Sequence, residues 1–160
     1  MIRPATEADT PALIAMIREL AEFEHLSDQV VITEDDLADA LFGDDAIVHD
    51  SVVDLGGGAL AAHALWFRTF STFLGKTGIW LEDLYVRPAH RRQGLATALI
   101  DHLRTQTDGR LEWEVLEWNL PAMDFYQQLG ARPLAGWTRY RWHDGSGSRA
   151  PTGPVSAPGS

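Results

Sequence analysis

One stretch, LYVRPAHRRQGLATALI (residues 84–100), constrains this chain more than any other. Its ends are apolar and read as a strand and a helix. Between them Arg87, His90, Arg91 and Arg92 fall within six residues, directly ahead of Gln93 and Gly94. A strand feeding a glycine turn and then a helix leaves unpaired backbone N–H groups at the helix mouth, where the dipole adds roughly half a positive charge. Such an end favours phosphate, and glycine lets a ligand approach the main chain closely. Charge alone leaves a second reading equally open, a solvated basic turn set against an acidic surface. The spacing is neither a Walker loop, which needs a following Lys and Ser/Thr, nor a Rossmann fingerprint, which needs three spaced glycines.

The basic segment stands out because the chain around it is acidic. Its 160 residues carry 13 Lys plus Arg against 23 Asp plus Glu, a formal charge of −10. That balance argues against non-specific nucleic-acid binding and suits a cationic partner. The length fits about one domain with its own core. There is no cysteine, which excludes disulfides, thiolate zinc sites and a thiol nucleophile. The opening MIRPATEADT lacks the apolar core of a signal peptide, and no apolar run nears the ~20 residues of a membrane span. These features predict a soluble, cytoplasmic protein with no membrane partner.

Periodicity supplies the remaining elements. Residues 2–4 read as a short strand stopped by Pro4, and Thr6 or Asp9 as the cap of a helix that tolerates Pro11 in its first turn. Leu13, Ile17 and Leu20 repeat along it, and Thr33 caps a second helix in ITEDDLADALF. Residues 46–54 and 59–68 read as strands around the GGG turn at 56–58, with a third strand at 78–86. Leu95, Leu99 and Leu103 form one helical stripe. RLEWEVLEW reads as a strand, NLPAMDFYQQLG as a capped helix closed by Gly130, and GWTRYRW as a last strand. The order βααβββαβαβ predicts an α/β or α+β fold with a mixed, largely antiparallel sheet. A domain over 1–143 and a disordered Gly/Ser/Pro-rich tail over 144–160 complete the expected organisation.

Three side chains admit chemistry as well as packing. Tyr126, beside Phe125, is either core or a phenol able to donate a proton. Asn119 lies seven residues before it, about two turns away on the same helical face. Glu82 alternates with Trp80, Leu84 and Val86, while Asp83 is expected on the other face with Leu81 and Tyr85. A carboxylate among apolar neighbours is either structurally paired or kept for work. Glu24 ends the first helix next to Phe23, where surface decoration is the plain alternative. His25, His63 and His102 share no metal-ligand spacing, so no metal is expected. The six tryptophans are expected mostly in the core or as cleft walls, with Trp118 a candidate neighbour of a cofactor.

The run Arg91-Arg92-Gln93-Gly94-Leu95-Ala96 resembles the acetyl-CoA signature Q/R-x-x-G-x-G/A of the GCN5-related N-acetyltransferases (GNAT). IRPAT, IRELAEFE, WLEDLYV and EWNLPAMDFYQQLGA extend the likeness over residues 2–142, to the spermidine/spermine (diamine) and thialysine acetyltransferase group. The resemblance implies a twisted mixed sheet flanked by helices and direct acetyl transfer from acetyl-CoA to a small primary amine. It implies that Tyr126 is the general acid and that Glu82 contacts the amine and relays its proton through water. It places Phe23 and Glu24 at the substrate, the backbone of Leu84, Tyr85 and Val86 along the pantetheine arm, and Asn119 near the cofactor. The diphosphate loop would comprise Arg91, Arg92, Gln93, Gly94, Leu95, Ala96 and Thr97.

The same group is typically homodimeric, which implies a homodimer here. Two departures bear on specificity. The signature ends in Ala96 where glycine is common. In RTFSTFLGK, Ser71 and Thr72 precede Phe73 where the polyamine enzymes carry an acid. A short diamine, thialysine or a lysine-like amino acid is thereby as well supported as a long polyamine. A non-catalytic acyl-CoA-binding module and a peptide N-terminal acetylase are the alternatives; a pure binder has no use for Tyr126, Glu82 and Glu24 together.

Overall fold

The computed structural model describes residues 1–142; the tail expected over 144–160 lies outside the described residues. The chain divides into two compact units, Met1–Glu114 and the segment from Val115 onward. The first unit runs β1 (Ile2–Pro4), α1 (Thr10–Phe23), α2 (Glu34–Phe42), β2 (His49–Gly56), β3 (Ala59–Ser71), β4 (Lys76–Val86), α3 (Leu95–Arg104) and β5 (Leu111–Glu112). The second contains α4 (Leu120–Gln128).

The five strands form one sheet in the order β1-β2-β3-β4-β5, antiparallel except for the parallel β4–β5 pair. The two-residue alternation of β2–β4 gives the sheet two buried faces. On one, Val52, Leu65 and Tyr85 pack with Leu13, Ile14 and Met16 of α1 and Leu37 and Leu41 of α2. Against the other lies α3, in contact with β3 and β4, its Leu99 and Leu103 fully buried as the leucine stripe predicts. Leu13, Ile17 and Leu20 likewise face the core, the last two partly exposed.

Local chemistry sets the boundaries. Asp9 is the N-cap of α1 with Pro11 in its first turn, while Thr6 caps the short 3-10 turn Glu7–Asp9 before it. Thr33 caps α2, its Oγ1 accepting the Asp36 N–H at 3.1 Å. The GGG turn holds three successive glycines at positive φ, the left-handed region where only glycine is unstrained.

Three expectations are corrected. The strand read in RLEWEVLEW shrinks to Leu111–Glu112, paired with Ile79 and Trp80. The last strand read in GWTRYRW is absent; residues 137–142 take no regular structure, and Trp137, Tyr140 and Trp142 are 75%, 91% and 94% exposed. A strand exists only through a partner for its backbone groups, and alternation within a segment says nothing about that partner. The tryptophans also depart from the expected burial: only Trp66 is fully enclosed, while Trp137 and Trp142 are exposed.

Candidate active site

Strand β4 is paired along its whole length with β3, but β5 accompanies it only at Ile79 and Trp80. Past that point, Leu81–Val86 have no strand on the outer edge among the described residues. Such an edge presents main-chain N–H and C=O groups to an extended ligand. Leu84, Tyr85 and Val86 all lie on it. The close approach that begins the β4–β5 pair depends on glycine: a Cβ on Gly78 would fall 2.7 Å from the Arg110 carbonyl oxygen.

Beyond β4 the chain makes a 3-10 turn at Pro88–His90 and enters α3 through Gly94, whose φ is +78°. Arg92 also sits at positive φ, +58°. The first intrahelical bond runs from the Ala98 N–H to the Gly94 carbonyl, so the N–H groups of Leu95, Ala96 and Thr97 precede the helical ladder. No side chain caps them. The site of a Gly94 Cβ meets nothing within 4 Å. Uncapped donors, dipole and clear space together fit a diphosphate.

The two arginines part company. Arg91 turns back: its Nε donates to the Val86 carbonyl at 2.9 Å, and its guanidinium lies 5.4 Å from the Phe23 ring centroid and 5.7 Å from that of Tyr85. Arg91 therefore ties the end of α1 to the end of β4, a role its place in the signature did not disclose. Arg92 is exposed. Gln93 reaches the Ala89 carbonyl with its amide, at 3.4 Å.

The acidic side of the site arises from an irregularity in β4. Leu65 pairs with Asp83 but Trp66 pairs with Leu81, so Glu82 is an extra residue in the β4 strand. Successive residues of β3 face opposite ways, hence Leu81 and Asp83 do too. The expected common face for Asp83 and Leu81 is thus wrong: Asp83 joins Leu65, His63 and Tyr85 on the α1 side. Glu82 is exposed, and its Oε2 accepts the Trp80 indole N–H at 2.8 Å. Burial lifts the Asp83 carboxyl above its ordinary range; His63 opposes this, and Glu82 and Asp50 add to it. Glu24, capping the C-terminal end of α1, is lifted by burial and then by the charge of Asp83. Glu24 and Asp83 are thus within electrostatic reach of each other. Sequence reasoning named Glu82 and Glu24 as candidates and set Asp83 correctly beside Tyr85 but wrongly beside Leu81, passing over it as a site residue; the paired acids of WLEDLYV were the available signal.

The second unit holds the other two candidates. Asn119 is the N-cap of α4 rather than a residue within it, its Oδ1 accepting the Ala122 N–H at 3.3 Å. Tyr126 lies in the second turn of α4, its ring tilted 56° from that of Phe125 at 5.1 Å. Gly130, at φ +92°, and the Ala131 N–H bonded to the Tyr126 carbonyl close the helix as expected. Among the described residues no group of three or more His, Cys, Asp or Glu is placed to hold a metal, and no helix is long and apolar enough to cross a membrane.

An open strand edge followed by a glycine turn and an uncapped helix mouth suits an extended ligand that ends in a diphosphate, and likeness to known proteins gives the class, an acetyl-CoA-dependent N-acetyltransferase. Residues 14–131 match the family model of the acetyltransferase (GNAT) family, and the chain belongs to that family. It is 36% identical over 156 residues to a thialysine N-epsilon-acetyltransferase of Sus scrofa, covering 89% of this chain and 91% of that protein. To the L-ornithine N5-acetyltransferase NATA1 of Arabidopsis thaliana it is 28% identical over 184 residues, covering 85% and 81%. Among solved structures, an integron cassette protein from the mobile metagenome of V. cholerae superposes with a TM-score of 0.72 at 23% identity, covering 89% of this chain and 91% of that one. The expected family and fold are both met.

Proposed function

We propose that this acetyltransferase acts on a small amine carrying a second cationic centre: thialysine, a lysine-like amino acid, a short diamine or a polyamine. The observation that carries the reading is the grouping of Glu24 and Asp83, with Glu82 beside them on the bulge. Carboxylates kept close despite their mutual repulsion favour a cation between them. The names of the relatives, a thialysine and an ornithine acetyltransferase, support the same substrate class.

Acetyl-CoA supplies the reactive thioester. In this reading the N–H groups of Leu95, Ala96 and Thr97, with the turn from Arg91 to Gly94, hold its diphosphate. The free edge at Leu84–Val86 hydrogen-bonds the pantetheine arm, and the resemblance assigns Asn119 to the cofactor. Phe23 and Glu24 receive the distal end of the amine. The attacking nitrogen must be neutral, whereas free amines at pH 7 are mostly protonated. Glu82, exposed and adjacent to Asp83, takes that proton through water. The Tyr126 hydroxyl donates a proton to the departing sulfur. With no cysteine in the chain, transfer is direct and activity rises with pH. Residues 1–143 form the catalytic domain, working as a cytoplasmic homodimer like the group it resembles; a monomer in light scattering would remove the dimer.

The test is amine-dependent thiol release from acetyl-CoA across thialysine, lysine, ornithine, putrescine, spermidine and a peptide amine. The expected result is turnover of the small dibasic amines, with kcat of Tyr126→Phe down about a hundredfold, the lower end of a lost general acid. Coenzyme A binding without turnover of any amine would instead identify a binding module, and preference for the peptide an N-terminal acetylase.

A further inference from the structure

Under the acidic edge lies a second ionisable pair that the proposed reaction does not use. His63 of β3 and Asp50 of β2 are both fully buried, at 0% side-chain exposure, and His63 Nδ1 stands 2.9 Å from Asp50 Oδ2. The remaining polar atoms of the pair, His63 Nε2 and Asp50 Oδ1, have no hydrogen-bond partner. Burying such atoms costs free energy that an apolar residue at either position would avoid. Val52 and Leu65 are the directly opposed apolar neighbours on this face. The cross-strand partner of His63 is Tyr85, and Asp83 is the diagonal neighbour two residues before it on that face.

We propose that Asp50 and His63 form a buried positioning pair whose imidazolium charge holds Asp83 as the carboxylate that receives the substrate ammonium. Asp50 accepts the Nδ1–H and so leaves Nε2 as the titrating atom. The ring and the Asp83 carboxyl act on each other through their charges, and a single proton sits on one or the other. Its transfer from the carboxyl to the ring gives imidazolium and carboxylate with no change in proton count. Burial alone would keep the acid neutral and useless for a cation. The pair opposes this: the charges of Asp50 and Asp83 raise the imidazole above its ordinary value in spite of burial, and the ring in turn draws the Asp83 carboxyl down against its own burial. The other charges facing this cluster are Arg87, at the end of β4, which acts against the imidazolium; Glu19 of α1, which is salt-bridged to Arg87 at 3.2 Å; and Glu82 and Glu24, which act on Asp83. The inference rests on the proposed amine site only for what Asp83 receives; the pairing itself does not.

Two measurements on the full chain separate these. In the first, NMR of histidine-labelled protein follows the His63 ring, assigned by its through-space contacts to the cross-strand neighbours Val52 and Tyr85. The ring is expected to titrate above 6.5 with its proton fixed on Nδ1, and Asp83→Asn is expected to lower that midpoint by about one unit. A midpoint at or below 6.5, indifferent to Asp83→Asn, overturns the pair. Because it is read on the native histidine, this arm survives a His63→Gln that fails to fold. In the second, folded His63→Gln is expected to raise the amine KM about tenfold with the acetyl-CoA KM unchanged. A lowered melting temperature with an unchanged amine KM would mark a merely structural histidine and overturn the role. Should no amine be acetylated while His63 titrates as expected, the substrate reading fails and the pair stands.

Discussion

Arg3 shows how one residue of the first strand secures the start of the fold. Its guanidinium holds Asp9 through two bonds, of 2.7 and 2.9 Å, and Asp54 through a third of 2.8 Å. Asp9 also accepts from the Thr6 N–H and hydroxyl. The Arg3 bonds, assisted by those from Thr6 and opposed by burial, lower the Asp9 carboxyl from 3.8 to about 2. A folded-state value below the unfolded one means the folded chain binds fewer protons, so the stabilisation is complete above 3.8 and lost as pH falls through about 2. The shift corresponds to about 2 kcal/mol. Urea unfolding should find Asp9→Asn less stable than the parent by about that amount near pH 6, with the gap closing between pH 4 and 2. A gap that persists at pH 2 would assign the effect to packing instead.

At the level of elements, the entry to α3 is where the fold makes its ligand-facing geometry, and Gly94 is its sensitive point. A Cβ there clashes with nothing within 4 Å, yet φ is +78°, so Gly94→Ala carries backbone strain alone, about 1 kcal/mol. Relief of that strain turns the N–H groups of the first turn. The expected outcome is a loss of stability of that size together with a several-fold higher KM for acetyl-CoA; unchanged values for both would remove the helix mouth from the cofactor site. This turn was legible in the sequence because local residues determine it: a glycine between a strand and an amphipathic helix. So were the caps at Thr33 and Gly130, and the leucine stripe of α3. What was not legible depends on partners. The bulge at Glu82 is invisible to a two-residue period, since it exists only in the register with Leu65 and Trp66; that is why Leu81 was expected to share a face with Asp83 and Tyr85. His63 was weighed only as a metal ligand, because Asp50 lies 13 residues away and meets it solely through strand pairing. The capped start of α4 was legible too, with the Asn119 side chain serving the helix from just outside.

Across the whole molecule, the formal charge of −10 acts on the two substrates in opposite directions. Acetyl-CoA is an anion approaching a net acidic protein, and the basic residues of the turn before α3 offset this only locally. A dibasic amine is attracted by that net charge. Long-range attraction of this kind is screened over about 8 Å at physiological ionic strength, against about 30 Å at 0.01 M. Raising salt from 10 to 150 mM should therefore lower kcat/KM for a dicationic amine several-fold. The decline should be smaller for an amine bearing one charge. For acetyl-CoA the same change should be flat or slightly favourable, because screening relieves repulsion from the rest of the surface. Steady-state kinetics with matched mono- and dicationic amines, at fixed pH, reads all three trends. Equal salt sensitivity for the two amines would show that the acidic field does not select the second cationic centre, and the substrate's distal ammonium would then have no electrostatic partner in this protein.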